Sequence, residues 1–283
     1  VRRVRLDKIP LYHVDAFTSE PFAGNPAAVC ILEKPYKDSV LKSIAAEMNL
    51  SETAFLQKLE QKHIEDSRLF SLRWFTPQTE VNLCGHATLA TAAVLFHEIK
   101  LRATEVSFET RSGTLTARLE DNGILLDFPK DETTPFYPSQ SILDALGISD
   151  FTSAHYSRKS GYLLILLPTE QNLKDLKPDF EHLKSAETKD KIAGVIVTSR
   201  GSDPYDFVSR FFAPWLGINE DPVTGSSHTT LCGYWSKTLG KMEMHAYQAS
   251  QRGGQLIVKV LSPDRVGLIG NAVIVSKGEL YLQ

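Results

Sequence analysis

The stretch FTPQTEVNLCGHATLATAAVLFHE, residues 75–98, decides the fold, because a second stretch of the chain answers it. Phe75-Thr76-Pro77 leads to Cys84-Gly85-His86-Ala87-Thr88, and Phe212-Ala213-Pro214 leads to Asp221-Pro222-Val223-Thr224-Gly225. The step from Phe75 to Cys84 is 9 residues, and so is the step from Phe212 to Asp221. A strand pattern runs into each Phe, over Leu69 to Phe75 and Asp206 to Phe212, and a helical pattern follows each string. Two three-residue strings can coincide by chance; matched flanks make the repeat of a whole domain the better reading.

The two helices say how each half is built. The first, about His86 to Glu98, reads HATLATAAVLFHE and is apolar nearly all round, as a buried helix is. The second, about Ser226 to Leu239, is apolar over much of its surface and stops at Gly240. One buried helix per half predicts an α+β fold of two pseudo-symmetric domains, each a sheet rolled around a central helix. Strand patterns surround the helices: Tyr12–Phe17, Ala28–Leu32, Glu105–Glu109, Thr114–Leu119, Ile124–Phe128, Tyr162–Leu167, Ile192–Thr198, Gln255–Val260 and Ala272–Val275. Asp121-Asn122-Gly123 reads as a hairpin turn between two of them. The polar stretch from Lys130 to Pro138 reads as the linker. The expected boundaries are residues 1–129 for the first domain, completed by a closing strand at 271–283, and 130–270 for the second.

Bulk properties narrow the class. A chain of 283 residues holds one large or two ordinary domains, and 42% hydrophobic residues argue against disorder. The net charge is −3 with Lys and Arg scattered, so there is no nucleic-acid footprint. No stretch approaches the ~18 uninterrupted apolar residues of a membrane span. The basic start Val1-Arg2-Arg3-Val4-Arg5 has no apolar signal core behind it and is expected to lead into the first strand. Cys30, Cys84 and Cys232 are odd in number and far apart, which fits a reducing cytosol rather than a disulfide framework.

Packed about a pseudo-twofold, both helix starts would face one cleft between the domains. Unpaired backbone N–H groups and the positive dipole end make such starts carboxylate sites. Gly85, Gly225 and Ser226 allow close approach there, and Ser227 adds a hydroxyl. Glu52 follows an amphipathic helix with apolar residues at 40, 41, 44, 45 and 48, and precedes a strand expected over Thr53 to Leu59. A carboxylate on that apolar-flanked junction can be desolvated toward a useful acid/base pKa, although position alone also fits an exposed glutamate. Cys84 and Asp221 hold equivalent places in the echo, and could face each other as opposed proton carriers. Cys84 equally reads as a small buried filler, and Asp221 as a helix cap near Thr224. His86 at the first helix start can exchange a proton near neutral pH.

The segments DAFTSEPFAGNPAAV (15–29), NLSETAF (49–55), FTPQTEVNLCGHATLA (75–90) and EDPVTGSS (220–227) resemble the PhzF-like family, the phenazine biosynthesis isomerase group. RFFAPW (210–215) and QRGG (251–254) strengthen the likeness, which covers nearly the whole chain. The resemblance implies a diaminopimelate-epimerase-like fold, a cytoplasmic homodimer, and no metal or organic cofactor. It implies that Glu52 of the Ser-Glu-Thr string, His86 of the Gly-His string and Asp221 of the Asp-Pro-x-Thr-Gly-Ser string are catalytic. It places carboxylate binding at Gly225 and Ser226. One departure is that many members have Ala-Gly-His-Pro where this chain has Cys84-Gly85-His86-Ala87. True epimerases carry their first catalytic cysteine at a Cys-Gly start like this one. Their second cysteine would fall at Asp221, which rules out a two-thiol mechanism and leaves a mixed Cys84/Asp221 pair open.

Three functions follow in order. The first is a cofactor-free isomerase shifting a proton on a small carboxylate- or amino-acid-like metabolite, with Glu52 as acid/base. The second is a racemase or epimerase using Cys84 and Asp221. The third is a binding or regulatory protein that keeps the fold without turnover. Metal-dependent hydrolysis is disfavoured because no histidines sit at ligand spacing, and a nucleotide site because no phosphate loop follows a strand.

Overall fold

The computed structural model describes residues 7–186 and 191–282. The basic lead-in expected at residues 1–5 lies outside them. The chain divides into two compact units, one of Val1–Asp127 with Ile269–Gln283 and one of Phe128–Leu268.

In the first unit, the strand Asp7–Ala16 pairs antiparallel with both Asn25–Leu32 and Ala272–Leu282. Beyond Asn25–Leu32 the pairing alternates: parallel to Glu52–Lys58, antiparallel to Leu69–Phe75, parallel to Glu105–Thr110, antiparallel to Gly113–Glu120. A two-residue turn at Asp121-Asn122 then folds Gly123–Pro129 back on Gly113–Glu120. The helix Gly85–Ala93 packs against Asp7–Ala16, Asn25–Leu32, Glu52–Lys58 and Ala272–Leu282. Every residue from His86 to Ala93 is buried, as a helix with no polar stripe requires. Beyond Ala93 the winding loosens into a π-helix over Val94–Ile99, which ends at Lys100 in the left-handed conformation.

The second unit repeats the alternation. Ser153–Ser157 is antiparallel to Tyr162–Leu166, which is parallel to Gly194–Arg200. Gly194–Arg200 is antiparallel to Phe207–Phe212, then Glu243–Gln248 pairs parallel and Gly254–Ser262 antiparallel. Leu69–Phe75 and Phe207–Phe212, the strands that run into the two Phe-x-Pro strings, thus hold the same rank in their sheets. The helix Gly225–Leu239 packs on Glu243–Gln248 and Gly254–Ser262 and closes at Gly240 with φ 64°. Its Trp235 stacks on Phe207, with ring centroids 5.7 Å apart and planes 6° apart, and donates to Thr198 Oγ1 at 3.0 Å.

Two expectations need correction. The stretch from Lys130 to Pro138 is not a linker: Thr134–Pro135 pairs with Ser153–Ser157, and buried Asp131 accepts from Ser157 Oγ at 2.5 Å and Thr230 Oγ1 at 2.8 Å. Asp131 is the buried polar residue of the stretch and its carboxylate is satisfied by those two hydroxyls, while Glu132 and Thr134 face solvent. Glu52 does not precede its strand but opens it, as the residue paired with Ala27. Among the described residues, no helix is long and apolar enough to cross a membrane.

Candidate functional site

The candidate residues form two clusters, one in each unit. In the first, the helix Asp38–Met48 ends at Asn49 with φ 50°, a left-handed reversal that delivers the chain to Glu52. The same sheet carries Asn25–Leu32, and its neighbouring helix begins at Gly85 with Cys84 as N-cap. Glu52, Cys84 and His86 are 9%, 7% and 5% exposed. His86 stands between the other two. Its Nε2 lies 3.3 Å from Glu52 Oε2, and its Nδ1 lies 3.6 Å from Cys84 Sγ. Burial pushes the imidazole pKa down to about 3, so the ring is neutral at physiological pH and its contact with Glu52 is not an ion pair. Nor is that contact aligned as a hydrogen bond, since Nε2 is buried without a hydrogen-bond partner. The Cys84 carbonyl accepts from the Thr88 amide at 3.2 Å and its hydroxyl at 2.6 Å, which fixes the start of the helix. One donor from each of Glu52, Cys84 and His86 lies within 4.8 Å of the other two.

In the second unit, Asp221 is 7% exposed and precedes the helix Gly225–Leu239. Its Oδ2 accepts from Thr224 Oγ1 at 2.5 Å. Gln248, fully buried, clamps the segment by donating to the Asp221 carbonyl at 2.7 Å and accepting from the Thr224 amide at 2.9 Å. Gly225 and Ser226 open the helix, so their N–H groups have no intrahelical acceptor. Ser226 Oγ lies 2.9 Å from the Tyr162 hydroxyl, whose pKa is raised chiefly by burial.

The helix starts are not in register with the Phe-x-Pro strings. Cys84 is itself the N-cap of its helix, whereas Asp221 lies three residues before the N-cap Thr224. The 3-10 turn Pro214–Leu216 follows Phe212, while the strand pair Glu80–Val81 follows Phe75, so equal counts end at unequal places. Cys84 and Asp221 are therefore not structural equivalents at their helix starts. Ser227, expected to offer a hydroxyl to a ligand, is fully buried and donates to the Thr224 carbonyl at 2.9 Å. Gln248 and Tyr162 carry no signal of their own in the sequence; the QRGG string just beyond Gln248 is the nearest pointer.

Residues 14–278 match the family described as phenazine biosynthesis-like protein, PhzC-PhzF. The chain is 47% identical over 285 residues to the mouse phenazine biosynthesis-like domain-containing protein 1, covering 96% of this chain and 99% of that one. It is also 47% identical over 277 residues to an uncharacterized isomerase of Halalkalibacterium halodurans, covering 96% and 98%. A crystal structure of a PhzF-family phenazine biosynthesis protein from Enterococcus faecalis matches with TM-score 0.88 and 42% identity, over 98% of this chain and all of that one. A hydroxyproline epimerase from Agrobacterium vitis shares the fold alone, with TM-score 0.58 and 13% identity over 97% and 93%. The alternating sheets, each with its buried helix, are thus the diaminopimelate-epimerase-like α+β fold, and the chain belongs to the phenazine biosynthesis-like, PhzF, family.

Proposed function

We propose that the protein is a cofactor-independent isomerase that shifts a proton on a small carboxylate- or amino-acid-like metabolite, with Glu52 as the acid/base group. The carrying observation is the buried Glu52 carboxylate held 3.3 Å from a neutral His86. A cationic neighbour would weaken a carboxylate base; a neutral imidazole leaves it able to take a proton. In the proposed step Glu52 removes a proton from carbon, the electron pair of the C–H bond delocalises within the substrate, and the same carboxyl returns the proton to a nearby carbon. Charge and atoms balance with no external reductant or oxidant. His86 stands beside the carboxyl with its Nε2 uncommitted and can hydrogen-bond the substrate. The isomerase naming of the Halalkalibacterium relative supports the reaction class.

The test is incubation with a metabolite extract in deuterated water, asking which metabolite gains carbon-bound deuterium only when the protein is present. Glu52→Gln keeps the shape and removes the base, and should slow exchange by about 100- to 10,000-fold. Exchange by Glu52→Gln at the wild-type rate overturns the proposal. One observation favours a second reading, in which Cys84 carries the proton: its Sγ is 3.6 Å from His86 Nδ1. Under that reading Cys84→Ala abolishes exchange and Glu52→Gln is mild.

A further inference from the structure

We propose that Glu52, Cys84 and His86 form a binding site for a thiophilic divalent cation, zinc being the natural occupant, and that this ion switches off whatever chemistry Glu52 performs. The donor set is one thiol, one imidazole and one carboxylate. It selects zinc or cobalt over magnesium or calcium, which take oxygen ligands alone. Three protein ligands with an open fourth position is also how zinc is held where an exogenous ligand can still reach it.

The distances suit the ion. With Zn–S about 2.3 Å and Zn–N and Zn–O about 2.0–2.1 Å, a tetrahedral centre sets its donor atoms roughly 3.3–3.6 Å apart. Sγ of Cys84 is 3.6 Å from His86 Nδ1, and Oε2 of Glu52 is 3.3 Å from His86 Nε2. Whichever ring nitrogen binds, one donor already stands at tetrahedral spacing, and the three residues offer a set of donors within 4.8 Å of one another. A second observation points the same way. His86 Nε2 is a buried nitrogen without a hydrogen-bond partner, aimed at the carboxylate, so a ligand atom stands uncommitted between the donors.

The chemistry of binding is simple ligand exchange. The Cys84 S–H bond gives its proton to solvent as the S–Zn bond forms, waters leave the ion as the thiolate, imidazole and carboxylate take their places, and nothing is oxidised or reduced. The bound ion draws off the Glu52 lone pair that the proposed proton shift needs. The metal site itself does not depend on that shift, because it is read from the spectrum of the protein alone.

The experiment is a titration of chelator-treated protein with Co²⁺ under a non-thiol reductant. One equivalent should bind and give a thiolate-to-cobalt charge-transfer band with tetrahedral d–d bands, and Zn²⁺ should erase both. Cys84→Ser should lose the charge-transfer band, and Glu52→Gln should weaken Co²⁺ binding by at least about 10-fold, since even outer-shell changes cost that much. Cys30→Ala and Cys232→Ala should keep the band, as those thiols are buried elsewhere in the core. Should Cys84→Ser fail to fold, protection of wild-type Cys84 from iodoacetamide by Zn²⁺, read by peptide mass spectrometry, decides the matter independently. No saturable binding by the wild type, binding without a thiolate band, or alkylation of Cys84 unchanged by zinc each overturns the proposal. In deuterated water, exchange by the metal-free protein should fall at least about 10-fold when one equivalent of Zn²⁺ is added. Exchange unchanged by saturating Zn²⁺ overturns the switch. Metal-free protein that binds Co²⁺ yet moves no deuterium into any metabolite refutes the isomerase reading and leaves the metal site standing.

Discussion

Acidification should loosen the second unit through one residue, His228. This side chain lies in the first turn of the helix Gly225–Leu239 and is fully buried. Its Nδ1 is 2.7 Å from the Thr224 carbonyl, an acceptor, so Nδ1 carries the hydrogen. That leaves Nε2 bare, in a buried place with no hydrogen-bond partner. A proton on Nε2 would put a cation there with nothing to receive its N–H, so burial lowers the pKa from 6.5 to about 4, against a smaller upward pull from the Thr224 hydrogen bond. The sign follows from proton counting. Between pH 6.5 and about 4 the unfolded chain binds a proton that the folded chain refuses, so stability falls as pH falls. Below about 4 both forms are protonated and the loss levels off. At 1.36 kcal/mol per pKa unit, the loss from this residue is about 2 kcal/mol at pH 5 and approaches about 3 kcal/mol at the limit. His228→Asn keeps a donor for the Thr224 carbonyl and cannot titrate. Urea unfolding followed by tryptophan fluorescence suits the measurement, since Trp215 and Trp235 lie in the second unit. The variant starts less stable because it leaves a void, but the readout is the slope. From pH 7.5 to 5 the wild type should lose about 2 kcal/mol more than His228→Asn. Parallel losses in the two proteins would refute the reasoning.

Other perturbations test other parts of the structure. Cys84→Ala should leave deuterium exchange within a few-fold of wild type if Glu52 alone carries the proton; loss of exchange moves the role to the thiol. Asp131→Ala strands the Ser157 and Thr230 hydroxyls in the core and should cost about 3 kcal/mol in urea unfolding, with Asp131→Asn recovering part of it. Gly24→Ala should lower the melting temperature by several degrees. The residue sits at φ +64°, and a Cβ there would meet the Ala16 carbonyl oxygen at 2.2 Å, a backbone contact that side-chain rotation cannot relieve; the expected cost is at least about 1–3 kcal/mol.

What the sequence reveals divides along physical lines. The helix from His86 is legible because it is apolar on all sides, a pattern that only burial permits. Leu69–Phe75 and the hairpin at Asp121-Asn122 are legible because alternation and turn chemistry are local signals. Ser153–Ser157, read SAHYS, is not: its polar residues are matched by partners distant in the chain, and no periodicity marks a matched hydroxyl. The same holds for Asp131 with Thr230 and for Gln248 with Thr224, pairs 99 and 24 residues apart. The Ser-Glu-Thr and Cys-Gly-His strings single out Glu52, Cys84 and His86 one by one. That His86 lies between the other two depends on the register of Glu52–Lys58 beside Asn25–Leu32 and on how the helix from Gly85 crosses that sheet, neither of which is a local property.

The pairing of the first described strand with the last fixes an order of events during synthesis. Asp7 lies opposite Leu282 and Ala16 opposite Ala272. The edge offered by Asp7–Ala16 stays unmet until residues 272–282 have left the ribosome, and at 5–20 residues per second the intervening chain takes on the order of tens of seconds to make. The unit Phe128–Leu268 is complete in sequence before then, being an insertion within the other. The half that carries Glu52 and His86 is therefore the last to close. A ribosome stalled short of residue 272 would hold a nascent chain whose Asp7–Ala16 still presents an open β-edge, a ready surface for chaperones or for another nascent copy.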